Sequence, residues 1–291
     1  VKLKTLTLLR IAICAGIVSF MAVATSCTKN DEESGPAKAD SIYLPVVMYD
    51  NRSTADSFVY NSNNTVSKMY YGYKRNEYHE RMDFSYNSAG QCNRIGYFRV
   101  TGTTTGRYDS LVYGANGSVT VFRQFPVPSS FDNILRLKLD SEGSLIALSR
   151  DTTMNASNSL KAAKWTMTIN GGNLTQCDIR RLTDGLNGQL SDRLEIFKYS
   201  YDQRPNSLRD FFRKNPVMQV LLGYDSDPLL YTASANNING FAISDGNTVV
   251  QTSPGVNTYD AATGLLIKQT FTNNGNDWHT GNFTYKKVAA Q

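Results

Sequence analysis

The sequence predicts an all-β protein, an antiparallel meander of repeated hairpins that forms a large curled sheet or closes into a barrel. Three observations predict it. From Ser41 onward, segments rich in Tyr, Phe, Val, Thr and Leu alternate with short polar turns. Turn centres recur near Asn63, Gly90, Gly117, Gly143, Gly172 and Arg204, a period of roughly 30 residues that marks arrayed supersecondary units. Within segments, side chains alternate: in ILRLKLD (134–140) Leu135, Leu137 and Leu139 share one face, and Arg136, Lys138 and Asp140 the other.

Each element follows from the same grammar. FVYNSNNTVSKMYYGY (58–73), MDFSYNSAGQCNRIGYF (82–98), DSLVYGANGSVTVFRQF (109–125), RLKLDSEGSLIALSR (136–150) and WTMTINGGNLTQCDIRR (165–181) each read strand, turn, strand. The period then changes. In NSLRDFFRKNPVMQVLLGY (206–224), Leu208, Phe211 and Phe212 sit at helical spacing, with Ser207 as N-cap. Pro216 ends that turn, Asn215 caps a second short helix, and Gly223 stops it. This short helical insert near 207–222 is the only helical matter expected. Strands resume at 240–253, 258–271 and 281–288. A dozen or more strands is a range in which open sheets curl or split. A barrel that wide needs more than its own wall side chains to fill it. The insert is the one candidate filler, so it is expected on the concave face with Phe211, Phe212, Val217, Val220 and Leu221 covered. The alternation also suits a transmembrane barrel with apolar residues outward. The ending YKKVAAQ, without a terminal aromatic, favours the water-soluble arrangement.

The chain opens differently. Lys2, Lys4 and Arg10 precede an apolar stretch from Ile11 to Val23, and Ala24, Thr25 and Ser26 lead to Cys27. That is the plan of an export signal, too short in its apolar part to span ~30 Å of hydrocarbon as a lasting helix. The expectation is a lipoprotein signal peptide over 1–26, lipidation of Cys27, a flexible tether over 27–40 and a single β-rich domain over 41–291. TKNDEESGPAKAD (28–40) has the composition of a tether. Lys29 with Asp31, Glu32 and Glu33 resembles an acidic signal that sends some Gram-negative lipoproteins to the cell exterior. The formal charge of +5 becomes +2 once the signal's three basic residues leave. No basic face points to a nucleic-acid partner. In the body Cys92 and Cys177 remain. Strand parity puts Cys92 outward with Arg94 and Cys177 inward with Ile179, which disfavours a disulfide.

FKYSYDQRPNSLRDFF (197–212), LLYTASANNINGF (229–241) and TYDAATGLLIKQTF (258–271) carry a resemblance. With Tyr201, Asp202, Pro205, Asn206, Asn236, Asn237, Ile238, Tyr259, Asp260 and Gly264, the chain is similar to a family of uncharacterised bacterial exported lipoproteins. Their hairpin repeats resemble the tyrosine–aspartate repeats of large shell-forming toxins. The resemblance implies a porin-like fold and assigns no function to any residue. One extra residue stands between Tyr259-Asp260 and Gly264.

Catalytic constellations are not readable. His79 and His279 are the only histidines and lie far apart in sequence, which argues against a histidine metal site. Asp225 and Asp227 start like a calcium loop but lack its glycine and terminal glutamate, so a turn explains them. Glu77, Glu80 and Asp83 among Arg75, His79 and Arg81 fit a solvated hairpin edge. Glu195 has apolar neighbours, but one carboxylate does not make a glycosidase pair. Seventeen tyrosines fit half-buried pleats, or rows that stack on glycans. Asp40-Ser41-Ile42, Asp109-Ser110-Leu111 and Asp151-Thr152-Thr153 resemble an O-glycosylation sequon, acting at Ser41, Ser110 and Thr152. The first expectation is therefore a non-enzymatic surface lipoprotein, a binding or scaffold module without cofactor or metal, held to the outer membrane by lipid. Its partner would be a glycan, a peptide or a barrel protein. A carbohydrate-active hydrolase whose carboxylates converge only in the fold, or a structural partner of an outer-membrane barrel, are the alternatives.

Overall fold

The structure is a computed structural model that describes residues 41–50, 55–74, 77–100, 104–124, 133–152, 160–184, 190–222 and 230–290. The signal, Cys27, the tether and Asp225 and Asp227 lie outside the described residues. The sixteen strands are β1 (Ser41–Asp50), β2 (Ala55–Tyr60), β3 (Val66–Lys74), β4 (Glu77–Tyr86), β5 (Cys92–Arg99), β6 (Thr104–Tyr113), β7 (Ser118–Gln124) and β8 (Asn133–Leu139), then β9 (Leu145–Thr152), β10 (Leu160–Asn170), β11 (Asn173–Asp184), β12 (Leu190–Pro205), β13 (Asn236–Asp245), β14 (Thr248–Tyr259), β15 (Leu266–Asn273) and β16 (Asn276–Ala289). Each strand pairs antiparallel with its sequence neighbours, and β1 closes on β16 from Ser41↔Ala289 to Asp50↔Gly281. The all-β meander is thus a closed sixteen-strand barrel.

Its pleat is apolar inward. Leu135 and Leu137, Val119 and Val121, Trp165 and Met167, and Phe197 and Tyr199 are buried. Their neighbours Arg136, Lys138, Lys164, Thr166, Lys198 and Ser200 are exposed. A porin has the opposite polarity, a wet lumen inside an apolar belt. Here the lumen is the hydrophobic core.

One end of the barrel is built from a repeated local device. The segments YNSNNTV (60–66), YNSAGQC (86–92), LDSEGSL (139–145) and YDAATGLL (259–266) each pair an aromatic or leucine with the apolar residue beyond the turn. Asp140 Oδ1 accepts from the N–H groups of Glu142 and Ser144, as Asn87 Oδ1 does from Ala89 and Gln91. Gly90 and Gly143 take φ of +75° and +82°, which glycine tolerates without a Cβ clash. Past each turn the ladder skips one residue: Ser67, Asn93, Ile146, Thr175 and Ile267 have no opposite partner. This bulge breaks strict alternation, so the residue before it faces the lumen. That corrects the reading of Cys92. The bulge at Asn93 turns Cys92 inward beside Ile95, and both Cys92 and Cys177 are buried free thiols. The β6–β7 hairpin lacks the bulge and turns through a 3-10 segment, Ala115–Gly117, a second helical feature the sequence reading did not contain.

The predicted turn at Arg204 is also corrected. β12 runs on to Pro205, and the chain then enters α1 (Arg209–Lys214) and α2 (Met218–Leu221). Neither helix has a side-chain N-cap, although Asn215 Nδ2 donates to Phe211 O at the end of α1. Ser207 and Asn215 serve the barrel instead. The insert packs inside, with Phe211 against Phe58 (5.2 Å), Tyr60 and Phe212, and with Phe211, Phe212, Val217 and Val220 buried and Leu221 half-buried. It seals the end where the tight hairpins lie. There the residues beside the bulges offer their backbone N–H groups to it. Val66 N–H donates to Asn215 Oδ1 (2.7 Å), Leu145 to Gln219 Oε1 (3.2 Å), Leu174 to Ser234 Oγ (3.1 Å) and Leu266 to Ser207 Oγ (2.8 Å). One equivalent donor beside each of four bulges is thereby satisfied by a side chain from the stretch between β12 and β13.

Candidate functional site: a cavity in the lumen

The plug does not fill the barrel. Between it and strands β16 and β1–β8 lies a cavity of about 420 Å³, within the usual range of small-molecule sites. Its floor is the plug's Val217, Val220, Leu221 and Leu222. The lower wall is Met69, Met82, Ile95, Leu135 and Leu137, whose unbranched or aliphatic side chains leave space that aromatic rings would occupy. Toward the other end of the barrel the lining turns polar, with Asp56, Glu80, Arg107, Asp109, Arg123 and His279.

The centre of that polar wall is a buried ionic cluster on β5, β6 and β7. Asp109 is 1% exposed. Its Oδ2 accepts from the Tyr97 hydroxyl (2.8 Å) and lies 3.5 Å from Arg123 Nε, the residue opposite it in the ladder. Its Oδ1 lies 3.9 Å from Arg107 Nε and accepts no hydrogen bond. Arg107 stacks on the Tyr97 ring at 3.9 Å. Burial first, and then the Asp109 charge, push the Tyr97 hydroxyl pKa well above its ordinary range, so it remains a donor. Across the cavity, Tyr231 and His279 Nε2 are hydrogen-bonded at 3.0 Å.

The residues singled out from the sequence fall elsewhere. The motif residues come together at the plug rather than at the cavity. Asp202 accepts from the Tyr259 hydroxyl and from Asn257 Nδ2 (2.9 Å), while Asn237 Nδ2 donates to Pro205 O (2.9 Å) and Tyr259 Oη (3.2 Å). Arg204 covers the Tyr259 ring at 4.3 Å. Asn206 Nδ2 donates to the carbonyls of Thr232 and Ser234, both at 3.0 Å. Asn236 exchanges hydrogen bonds with Asn173, and Tyr201 donates to Leu174 O (2.6 Å). Asp260 Oδ1 accepts from Ala262 and Thr263 in the last tight turn, and Gly264 takes φ of +71° there, which absorbs the extra residue. These side chains pin the insert and its flanking hairpins.

Tyr60, Tyr86 and Tyr285 act likewise, donating to the carbonyls of Pro45, Val66 and Leu266. Glu195 is held by Arg181 and Arg193. Glu80 is exposed at the rim of the cavity, and Arg81 and Asp83 pair on the outer face. Ser41 begins the β1–β16 seam, Ser110 is half-buried on the strand that turns Asp109 inward, and Thr152 ends β9. Among the described residues no three His, Cys, Asp or Glu side chains gather as metal ligands.

Fold and cavity define a class, a closed meander barrel with a plugged, largely apolar lumen and a charged outer wall. A crystal structure of a porin-like protein from Bacteroides vulgatus is similar to it, at 11% identity and a TM-score of 0.49, covering 83% of this chain and 98% of that one. No protein-family model and no curated protein sequence matches the chain.

Proposed function

We propose that this protein is a non-enzymatic binding module, exported and tethered to the outer membrane by lipid on Cys27, with the lumen cavity as its ligand site. The observation that carries the reading is a 420 Å³ void in the lumen with an ionic cluster in its wall. The export signal and the tether composition support the anchor, and the acidic run at Asp31, Glu32 and Glu33 supports display on the cell exterior. Lys138, Lys164 and Lys198 on the outer wall support a barrel that stands in water beside the membrane, because such side chains at bilayer depth cost roughly 2–4 kcal/mol each. The Asp109 carboxylate is neutralised by arginines, the arrangement of a structural or recognition group rather than of a paired acid and base.

Native mass spectrometry of the chain carrying Cys27→Ala, purified gently from producing cells, tests the site. A co-purifying small molecule is expected, and it should be absent when Leu135→Trp fills the cavity from its lower wall. Identical spectra for the two proteins, both without ligand, together with no binding from a metabolite extract, would sink the reading.

A further inference from the structure

We propose that the cavity selects a neutral, hydroxylated amphiphile, an apolar body of modest length with an alcohol head group donating to Asp109. The inference rests on the lumen being the ligand site and goes on to name the ligand's chemistry. Three observations on the page converge. The floor and lower wall, Met69, Met82, Leu135, Leu137, Val217 and Val220, offer no polar side-chain atom, so the inner part of the ligand is hydrocarbon. The polar wall begins where those residues end, so the ligand is polar at one end only.

The third observation fixes the head group. Asp109 lines the cavity, and its buried Oδ1 accepts no hydrogen bond. A buried acceptor in that state gains from a ligand donor. A cation as donor would sit beside two guanidiniums, Arg107 and Arg123, and be repelled. An anion would meet the guanidiniums but also Asp109, Asp56 and Glu80, three carboxylates against two arginines in the lining. An alcohol donates its proton to Oδ1 and accepts from a guanidinium N–H with the same oxygen. Of these three it alone satisfies both without introducing charge. Tyr97 cannot serve Oδ1 itself, because its hydroxyl is spent on Oδ2.

Calorimetric titration of the Cys27→Ala chain with 1-octanoylglycerol, octanoate and methyl octanoate, below their micellar concentrations, tests the assignment. The monoglyceride should bind at least about tenfold more tightly than either other ligand, the margin of one hydrogen bond to a charged group. Asp109→Asn removes a negative charge and leaves both arginines, so it should reverse the order in favour of octanoate. A merely structural Asp109 would weaken all three ligands together. Val121→Phe, which intrudes on the cavity wall and keeps every residue of the cluster, should abolish binding of all three. Tighter binding of octanoate to the unmodified site, or equal affinity for the three, overturns the hydroxyl assignment and leaves the lumen site standing. No binding of any ligand to a folded chain overturns the assignment. If the metabolite screen is also empty, the lumen reading falls with it.

Discussion

Gln219 offers the sharpest test of how the plug is held. It is 0% exposed, its Oε1 accepts from the N–H groups of Leu145 (3.2 Å) and Ala233 (3.1 Å), and its Nε2 donates to Gly143 O (2.9 Å). Gln219→Leu keeps nearly the same volume and removes all three partners at once. Each buried backbone group left unmade costs about 1–3 kcal/mol, so the loss is about 3 kcal/mol even at the low end. For a body of this size that corresponds to a fall in Tm of roughly 6–12 °C. Urea unfolding of Gln219→Leu and Gln219→Ala beside the parent chain measures it. The leucine variant should recover only the packing part of the alanine loss. If Gln219→Leu unfolds within about 0.5 kcal/mol of the parent, the side chain contributes volume alone and the docking argument is refuted.

Other outcomes follow from the same structure. Phe211→Ala and Phe212→Ala each empty a fully buried site and should cost about 3–5 kcal/mol in denaturant unfolding; an unchanged midpoint would mean the helices decorate the barrel rather than fill it. Burial pushes the Cys92 thiol up from 9.0 to about 12, so the folded state holds that proton longer than the unfolded chain does. Its contribution to stability is complete below pH 9 and is lost as pH rises toward 12, at up to ~1.4 kcal/mol per pH unit. Stability curves over that window should therefore be shallower for Cys92→Ala, and parallel curves would count against the shift. Cys27→Ala should leave unacylated precursor or soluble product in cell fractionation; maturation and outer-membrane fractionation as before would dismiss the lipid anchor.

Much of this architecture was legible. Alternation in residues 134–140 gave the inward face of β8, and the break of period at Leu208, Phe211 and Phe212 marked the plug. What misled was local: parity counting assumes an unbroken ladder, and the bulge at Asn93 turned Cys92 to the other face. Arg204 looked like a turn because Asp202 and Pro205 surround it, yet Asp202 is engaged by Tyr259 and Asn257, which hold the strand extended. The ionic cluster went unread although its signal was present. In RYDSLVY (107–113) Asp109 shares the face of Leu111, and in VTVFRQ (119–124) Arg123 shares the face of Val119 and Val121. Opposite charges on the core faces of adjacent strands can be found by pattern alone. The emptiness between them cannot, since it depends on how far the plug reaches across the lumen.

The seam between β1 and β16 has a consequence for how the molecule comes into being. The strand that opens the body at Ser41 finds its second partner only near Ala289, so its outer edge stays bare until almost the whole chain has emerged. Such long-range closure is slow, because the loop entropy is spent before the contact returns anything. Meanwhile two unpaired edges invite pairing with other chains. The tight hairpins, each local in sequence, can form early and present their bulge-side N–H groups before the circle is complete. The segment that follows β12 can collect three of them, those of Val66, Leu145 and Leu174, and hold the arc curved while the last strands arrive. By that route a segment recognised as filling is also the mandrel on which the barrel is wound, and lesions at Ser207, Asn215, Gln219 or Ser234 would be felt first as slow or failed assembly.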